Sequence, residues 1–367
     1  MKVQEVILSN GEKRYLVIND SQQPIKPIML FMKYLDSIQR SPNTQRAYCF
    51  GLRDFFVYLS LTETHYKSVT IKVIANFLAW LVNPTLEEKI PYLSSPNPKT
   101  ERTINLRITA VMSFYKFLYQ FEYIDQDVAH KAYEDVKGVK KYKDFLYHIN
   151  RSKVLSKNIF KLKEPRKKIK IIPDNIIKSA FEATTNIRDL FLLSLLFESG
   201  LRIGEVLSIY KEDIIFDLID GHRIRLVNRE NNQNGARLKT GSREIYISSD
   251  LINLFDEYMY FISDFDKSGF LFIKIKGVSK GLPMEYRDVI SLFKRLEKKI
   301  DYRLQAHQYR HTHATKYYEK TKDIKSVQER LGHKQIQTTM NLYLHPSNEE
   351  IRLQWEKAKG AFRMEKK

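Results

Sequence analysis

Residues 199–209 read SGLRIGEVLSI, and the fold of the second half of the chain turns on them. They continue IRDLFLLSLLFE, residues 187–198, an apolar run suited to a buried helix. Gly200 is a natural stop for that helix, because glycine enters the left-handed backbone region without steric cost. Arg202 then falls at the junction of two apolar segments, where a bare guanidinium is costly to bury. It needs a partner, and Glu205 lies three residues on, on the same helical face. Most Arg-x-x-Glu pairs are plain structural ion pairs. The functional alternative is an arginine braced by Glu205 and aimed at a phosphate, which guanidinium grips with two parallel hydrogen bonds.

Outward from this segment, PDNIIKSAFEAT (173–184) opens a helix at a Pro-Asp signal, and HRIRLVNR (222–229) and REIYIS (243–248) are β-prone. The polar loop between them carries Lys239 just before a glycine, so its ammonium can swing; a Lys-Thr-Gly turn alone is weak evidence of function. Helices resume at DLINLFDEYMYFI (250–262). HQYRHTHAT (307–315) sets His307 and Arg310 as helical neighbours, with His311 and His313 beside them. His307 and His311 have the spacing of a zinc pair, but no His-Glu-x-x-His glutamate follows and the neighbours are cationic, so no metal is expected. Capping or core histidines are the ordinary alternative. LGHKQIQTTMNLYLHP (331–346) then offers His333 after a glycine at a helix boundary, and Tyr343 ten residues on.

The first half reads differently. Residues 1–24 hold two short β-prone runs around SNGEK, a hairpin signal. Residues 25–135 are helical in pattern. SPNTQRAYCFGLRDFFVYL (41–59) places Tyr48, Leu52, Phe55, Phe56 and Leu59 on one face, and KTERTINLRITAVMSFYKFLYQF (99–121) places Ile104, Ile108, Val111, Met112, Tyr115 and Leu118 likewise. Arg46, Arg53, Arg102 and Arg107 sit off those faces and are candidates for phosphate contact, against an ordinary solvated face. Residues 136–170 form a basic linker whose Lys140, Lys141, Arg166, Lys167 and Lys168 suit a strap along DNA phosphates.

Composition narrows the partner. Lys and Arg number 62 against 43 Asp and Glu, a formal net charge of +19, which favours a polyanion, nucleic acid above all. The longest apolar stretch, 189–197, is far below the ~20 residues of a membrane span. The single cysteine, Cys49, excludes an intramolecular disulfide and a Cys-based metal site. With no secretory layout at the N-terminus, a cytoplasmic location is expected.

The polar segments of the second half make a coherent chemistry. Two arginines can clamp the charge that builds up on a phosphodiester in its transition state. A tyrosine can attack phosphorus once its proton is taken, and a mobile lysine can protonate the departing sugar oxygen. No acidic cluster for Mg²⁺ accompanies them.

These boxes resemble those of the tyrosine recombinases, or phage-integrase-type recombinases. SGLRIGEVLSI is similar to the family's first arginine box, HQYRHTHAT to its His-x-x-Arg box, and LGHKQIQTTMNLYLHP to the box ending in its nucleophilic tyrosine. Order and spacing match over 171–350, with the lysine hairpin between the first two boxes; NTQRAYCFGLRDFFVYL resembles the core-binding domain in type only. The resemblance implies a mainly α fold with a small antiparallel sheet in the catalytic domain: a helical core-binding domain (25–135), a catalytic domain (171–350) and a C-terminal tail (351–367) that docks on a neighbouring subunit. It implies that Tyr343 attacks the scissile phosphate to give a 3′-phosphotyrosyl link, that Arg202 and Arg310 hold the non-bridging oxygens, and that Lys239 is the general acid. His307 would accept a proton or bind phosphate, His333 would hydrogen-bond the phosphate, and Glu205 would brace Arg202. Gln308 and Tyr309 depart from the apolar or small residues usual there.

The expected activity is site-specific recombination for a mobile element. It would act on double-stranded DNA at core sites, as a homotetramer on two duplexes and through a Holliday junction, with no cofactor. The short N-terminal hairpin favours simple core sites over a separate arm-type domain, and accessory DNA-bending or directionality proteins are compatible with this scheme. The competing functions are a type IB-like topoisomerase, a non-catalytic DNA-binding regulator and a metal nuclease.

Overall fold

The computed structural model describes residues 1–9, 13–83, 99–135, 156–165, 170–229, 232–238 and 240–333, with Arg352 and Glu356. The chain divides into two compact units, Met1–Arg166 and Lys167–Lys367, each with its own hydrophobic core.

In the first unit, β1 (Lys2–Ile7) pairs antiparallel with β2 (Lys13–Ile18). The helices are α1 (Lys26–Ser37), α2 (Pro42–Leu61), α3 (Ile71–Val82), α4 (Glu101–Gln120) and the short α5 (Val128–Lys131). Local chemistry starts the two long ones. Ser41 caps α2 by accepting the Thr44 N–H at 3.3 Å, with Pro42 in the first turn, and Thr100 caps α4 through the Thr103 N–H at 3.4 Å. Their apolar faces bury Leu52, Phe55, Ile108, Val111, Phe114 and Tyr115 in a core rich in aromatic rings. Each such side chain contributes roughly 1.5–3 kcal/mol on burial. Tyr48, from the same expected face, is only half-buried. Two three-residue strands, β3 (Tyr133–Asp135) and β4 (Ser156–Asn158), pair antiparallel, and Phe160 enters this core. The Asn105 amide then fixes Leu162 by exchanging two hydrogen bonds with its backbone, at 2.8 and 3.0 Å. Part of the stretch read as linker therefore packs on the helical unit.

The second unit contains α6 (Asp174–Glu182), α7 (Ile187–Ser199), α8 (Ile203–Val206), α9 (Ser249–Ile262), α10 (Tyr286–Ile300), α11 (Ala306–Thr321) and α12 (Ile324–Leu331). Its sheet is antiparallel in the order β5 (Ile214–Ile215), β6 (Arg223–Leu226), β7 (Arg243–Tyr246). Ile224, Leu226 and Ile245 point into the core, while Arg223, Arg225 and Glu244 pair across the other face. Helix α7 is the centre of the unit: Phe191, Leu192, Leu193, Leu195 and Leu196 are buried, against α9 on one side and α11 on another. The mainly α architecture with a small antiparallel sheet is the one expected. Among the described residues no helix is long and apolar enough to cross a membrane.

Candidate active site

Two helix ends and one hairpin of the second unit create the site. Helix α7 stops at Gly200, at φ 63°, and α12 stops at Gly332, at φ 64°. A side chain at Gly200 would meet the His313 ring at 2.4 Å, and one at Gly332 would meet Arg243 Nη1 at 2.8 Å, so both sites require glycine. The last turns of these helices present carbonyls without intrahelical partners, the negative ends of the helix dipoles. Arg310, on α11, spans both. Its Nη1 donates to Gly200 O at 2.9 Å and its Nη2 to Leu331 O at 2.7 Å. The side chain is 2% exposed, which fixes the guanidinium plane.

Glu205 is the counter-charge. Its Oε2 accepts the Arg202 backbone N–H at 3.0 Å and its Oε1 the Arg202 Nη1 at 3.1 Å. It also accepts from Thr240 Oγ1 at 2.8 Å and from Arg243 Nη2 at 3.2 Å, and lies 3.8 Å from Arg310 Nη1. Burial by itself raises the carboxyl's pKa. The Arg243 charge, the Arg202 N–H, Thr240 and Arg310 outweigh it and hold Glu205 below the usual carboxylate range. Three guanidiniums thus converge on one carboxylate, an excess of two positive charges within the cluster.

The histidines divide by role. His313 is 8% exposed; its Nδ1 donates to Phe197 O at 2.9 Å and its Nε2 accepts from Arg330 Nε at 3.0 Å. Both nitrogens are used, so His313 is a structural brace between α7, α11 and α12. His333 follows Gly332, and its Nε2 lies 2.9 Å from Arg310 Nη2. Arginine can only donate, so Nε2 accepts and the imidazole is neutral with its proton on Nδ1. Burial, then the charges of Arg310, Arg202 and Arg243, push His333 down to about 4. His307 is solvent-exposed on the first turn of α11, with its ring 4.3 Å from that of His311. Partial desolvation, then Arg310 and Arg202, lowers its pKa as well. At neutral pH it is therefore a free base able to take a proton.

These imidazoles make the second unit acid-sensitive. An imidazole in the unfolded chain titrates near 6.5, whereas His311 and His333 titrate near 4 and His313 near 3 when folded. Between those values the unfolded chain binds more protons, so stability present at pH 7 is lost as pH falls through 6.5 toward 4. Urea midpoints of the second unit should decrease steadily over that interval. A midpoint independent of pH between 7 and 5 would contradict the buried neutral histidines.

The structure therefore brings together Arg202, Glu205, His307, Arg310 and His333. Lys239 and Tyr343 lie outside the described residues, as do Lys140, Lys141, Arg166, Lys167 and Lys168. Tyr309 explains its own departure: its ring is buried against Phe293 in the core, away from solvent. Two residues of the site went unrecognised in the sequence. In the sequence Arg243 is only one more cation, four residues after Lys239, and Arg330 carries no signal at all. In the first unit, Arg53 Nη2 and Arg107 Nε both pair with Asp54, at 2.6 and 3.0 Å, and with Arg46 they surround the Phe50 ring at 5.2–5.8 Å. Arg102 is exposed.

Two family models match the chain: the Phage integrase family over residues 171–350 and the phage integrase N-terminal SAM-like domain over residues 28–121. Transposase A of transposon Tn554 from Staphylococcus aureus is 34% identical over 364 residues, covering 97% of this chain and 98% of its own. Tyrosine recombinase XerA of Pyrococcus horikoshii is 28% identical, covering 90% and 92%. Among solved structures, the integrase of transposon Tn1549 in complex with a circular-intermediate DNA superposes with a TM-score of 0.60 at 17% identity, over 90% of this chain and 99% of that one. The chain belongs to the phage integrase family and is a tyrosine recombinase, an enzyme that breaks and rejoins DNA strands.

Proposed function

We propose that this recombinase is the site-specific recombinase of a mobile element, cutting and rejoining double-stranded DNA at core sites through a 3′-phosphotyrosyl intermediate. The observation that carries the reading is the placement of Arg202 and Arg310 around the single carboxylate of Glu205, two cations facing one anion. That excess of positive charge suits a phosphodiester whose charge increases on the way to the transition state. Likeness to a transposase over almost the whole chain supports the mobile-element setting.

In this reading, the Tyr343 oxygen forms a bond to the scissile phosphorus and its phenolic proton passes to His307. Arg202 and Arg310 hold the non-bridging oxygens, with His333 as a further hydrogen-bonding partner. The P–O5′ bond breaks, its electron pair stays on O5′, and Lys239 supplies the proton that completes the 5′-hydroxyl. A 5′-hydroxyl from the other duplex reverses these steps. The phosphotyrosyl bond keeps the energy of the phosphodiester, so no nucleotide triphosphate is consumed. Two duplexes held by a homotetramer would exchange strands in succession through a Holliday junction, in the cytoplasm where the element's DNA resides. Tail exchange through residues 351–367 and accessory bending or directionality proteins fit the same scheme.

The test is recombination between two DNAs carrying the ends of the protein's own element with native flanks, in chelator and without ATP. Joined products confined to those ends are expected. Relaxation of any supercoiled plasmid without joined products would instead indicate a topoisomerase.

A further inference from the structure

We infer that Arg243 is a positioning residue that locks the Lys239 hairpin to the phosphate pocket, so that leaving-group protonation depends on it. The inference rests on the reading of Lys239 as the general acid. Arg243 begins β7, four residues after Lys239, and its side chain is 13% exposed. Four of its five N–H donors are engaged within the protein. Nε donates to Arg330 O at 3.1 Å, Nη1 to Thr240 Oγ1 at 2.6 Å, and Nη2 to Glu205 Oε2 at 3.2 Å and Leu331 O at 3.4 Å.

These contacts tie three parts of the site together. Thr240, adjacent to Lys239 in sequence, is clamped from both sides, because its Oγ1 also donates to Glu205 Oε1 at 2.8 Å. Glu205 in turn holds Arg202, and Leu331 O is shared with Arg310. The same guanidinium fills the space beside Gly332, immediately before His333. With its donors so committed, Arg243 is poorly placed to grip substrate itself. Its effect is to restrict the hairpin at the residue beside the acid. Lysine has one nitrogen and cannot reach these four acceptors at once.

Protonation can be separated from attack by changing the leaving atom. In DNA with sulfur in place of the bridging O5′, the P–S bond breaks to a thiolate, which is far less basic than an alkoxide and leaves without a proton. Arg243→Gln should cleave ordinary DNA about 100-fold more slowly than the native protein, yet cleave the sulfur-bridged DNA within about fivefold of it, the selectivity of a lost general acid. Lys239→Ala is the control and should show the same rescue.

Equal loss on both DNAs with site binding retained, or no loss on either, overturns the role of Arg243. If Lys239→Ala is not rescued, the general-acid reading falls and the coupling with it; rescue of Lys239→Ala alone overturns only the coupling. Should Arg243→Gln fail to bind DNA, Thr240→Val decides by the same ratio, since it removes one hydroxyl and leaves the Arg243–Glu205 pair. Selective loss on ordinary DNA then supports the coupling, and a ratio equal to native overturns it.

Discussion

Protein carrying Tyr343→Phe is expected to bind its DNA site as tightly as the native protein and to form no covalent adduct with it. The substitution removes a single oxygen, and in the proposed chemistry that oxygen is the atom joined to phosphorus. In the proposed chemistry nothing else replaces it, because His307 takes the proton, His333 Nε2 is engaged by Arg310, and the arginines carry no nucleophilic atom. A net charge of +19 gives DNA binding a broad electrostatic basis, so one phenol contributes little to it. The measurement pairs a gel-shift titration with an SDS-resistant adduct assay on the same DNA. Adduct persisting in Tyr343→Phe would move the nucleophile elsewhere in the chain. Loss of binding with loss of adduct would return Tyr343 to a packing role.

The second large effect is expected from Glu205→Gln. Glu205 is fully buried and is the one carboxylate among the described residues facing Arg202, Arg243 and Arg310. An amide keeps much of the shape and removes the charge, leaving three guanidiniums mutually repelling in a poorly hydrated pocket. Breaking a buried ion pair from one side costs roughly 3–5 kcal/mol. The urea transition of the second unit should fall accordingly, while that of the first unit stays in place. Added sulfate or phosphate should restore part of the loss, since an anion can occupy the same cationic cluster and binds the folded state. DNA cleavage should drop further than DNA binding, because the orientation of Arg202 depends on this brace. Unchanged stability, or stability indifferent to anions, would contradict a cluster held together by one carboxylate.

Local rules made much of this legible. Gly200 ends α7 as its position after an apolar run predicts, and the i, i+3 spacing of Arg202 and Glu205 does form the brace. The β-prone run HRIRLVNR does hold a strand, Arg223–Leu226, and helical spacing sets His307 and Arg310 as neighbours on α11. What escaped depends on contacts distant in the chain. Arg243 meets Arg330 and Leu331 across more than eighty residues, and Arg330 meets His313, Glu198 and Tyr246 from three separate elements. No periodicity reports such convergence. His313 looked the same as its neighbours until its two nitrogens had partners. Strands of two or three residues, such as β5 and β3, are too short to show a period of two. The Asp54 pairs with Arg53 and Arg107 were hidden for the same reason as Arg243, since one of them joins α2 to α4.

Chemical mapping of the DNA-linked residue tests the role of Tyr343 without relying on a variant. Adduct would be trapped on a nicked core site, in chelator and without ATP, then digested with protease and nuclease, and the modified peptide sequenced by mass spectrometry. The expected product is a nucleotide joined through its 3′-phosphate to Tyr343 and to no other residue. A nucleotide on a different side chain, or no adduct at all on DNA that the protein binds tightly, would contradict it.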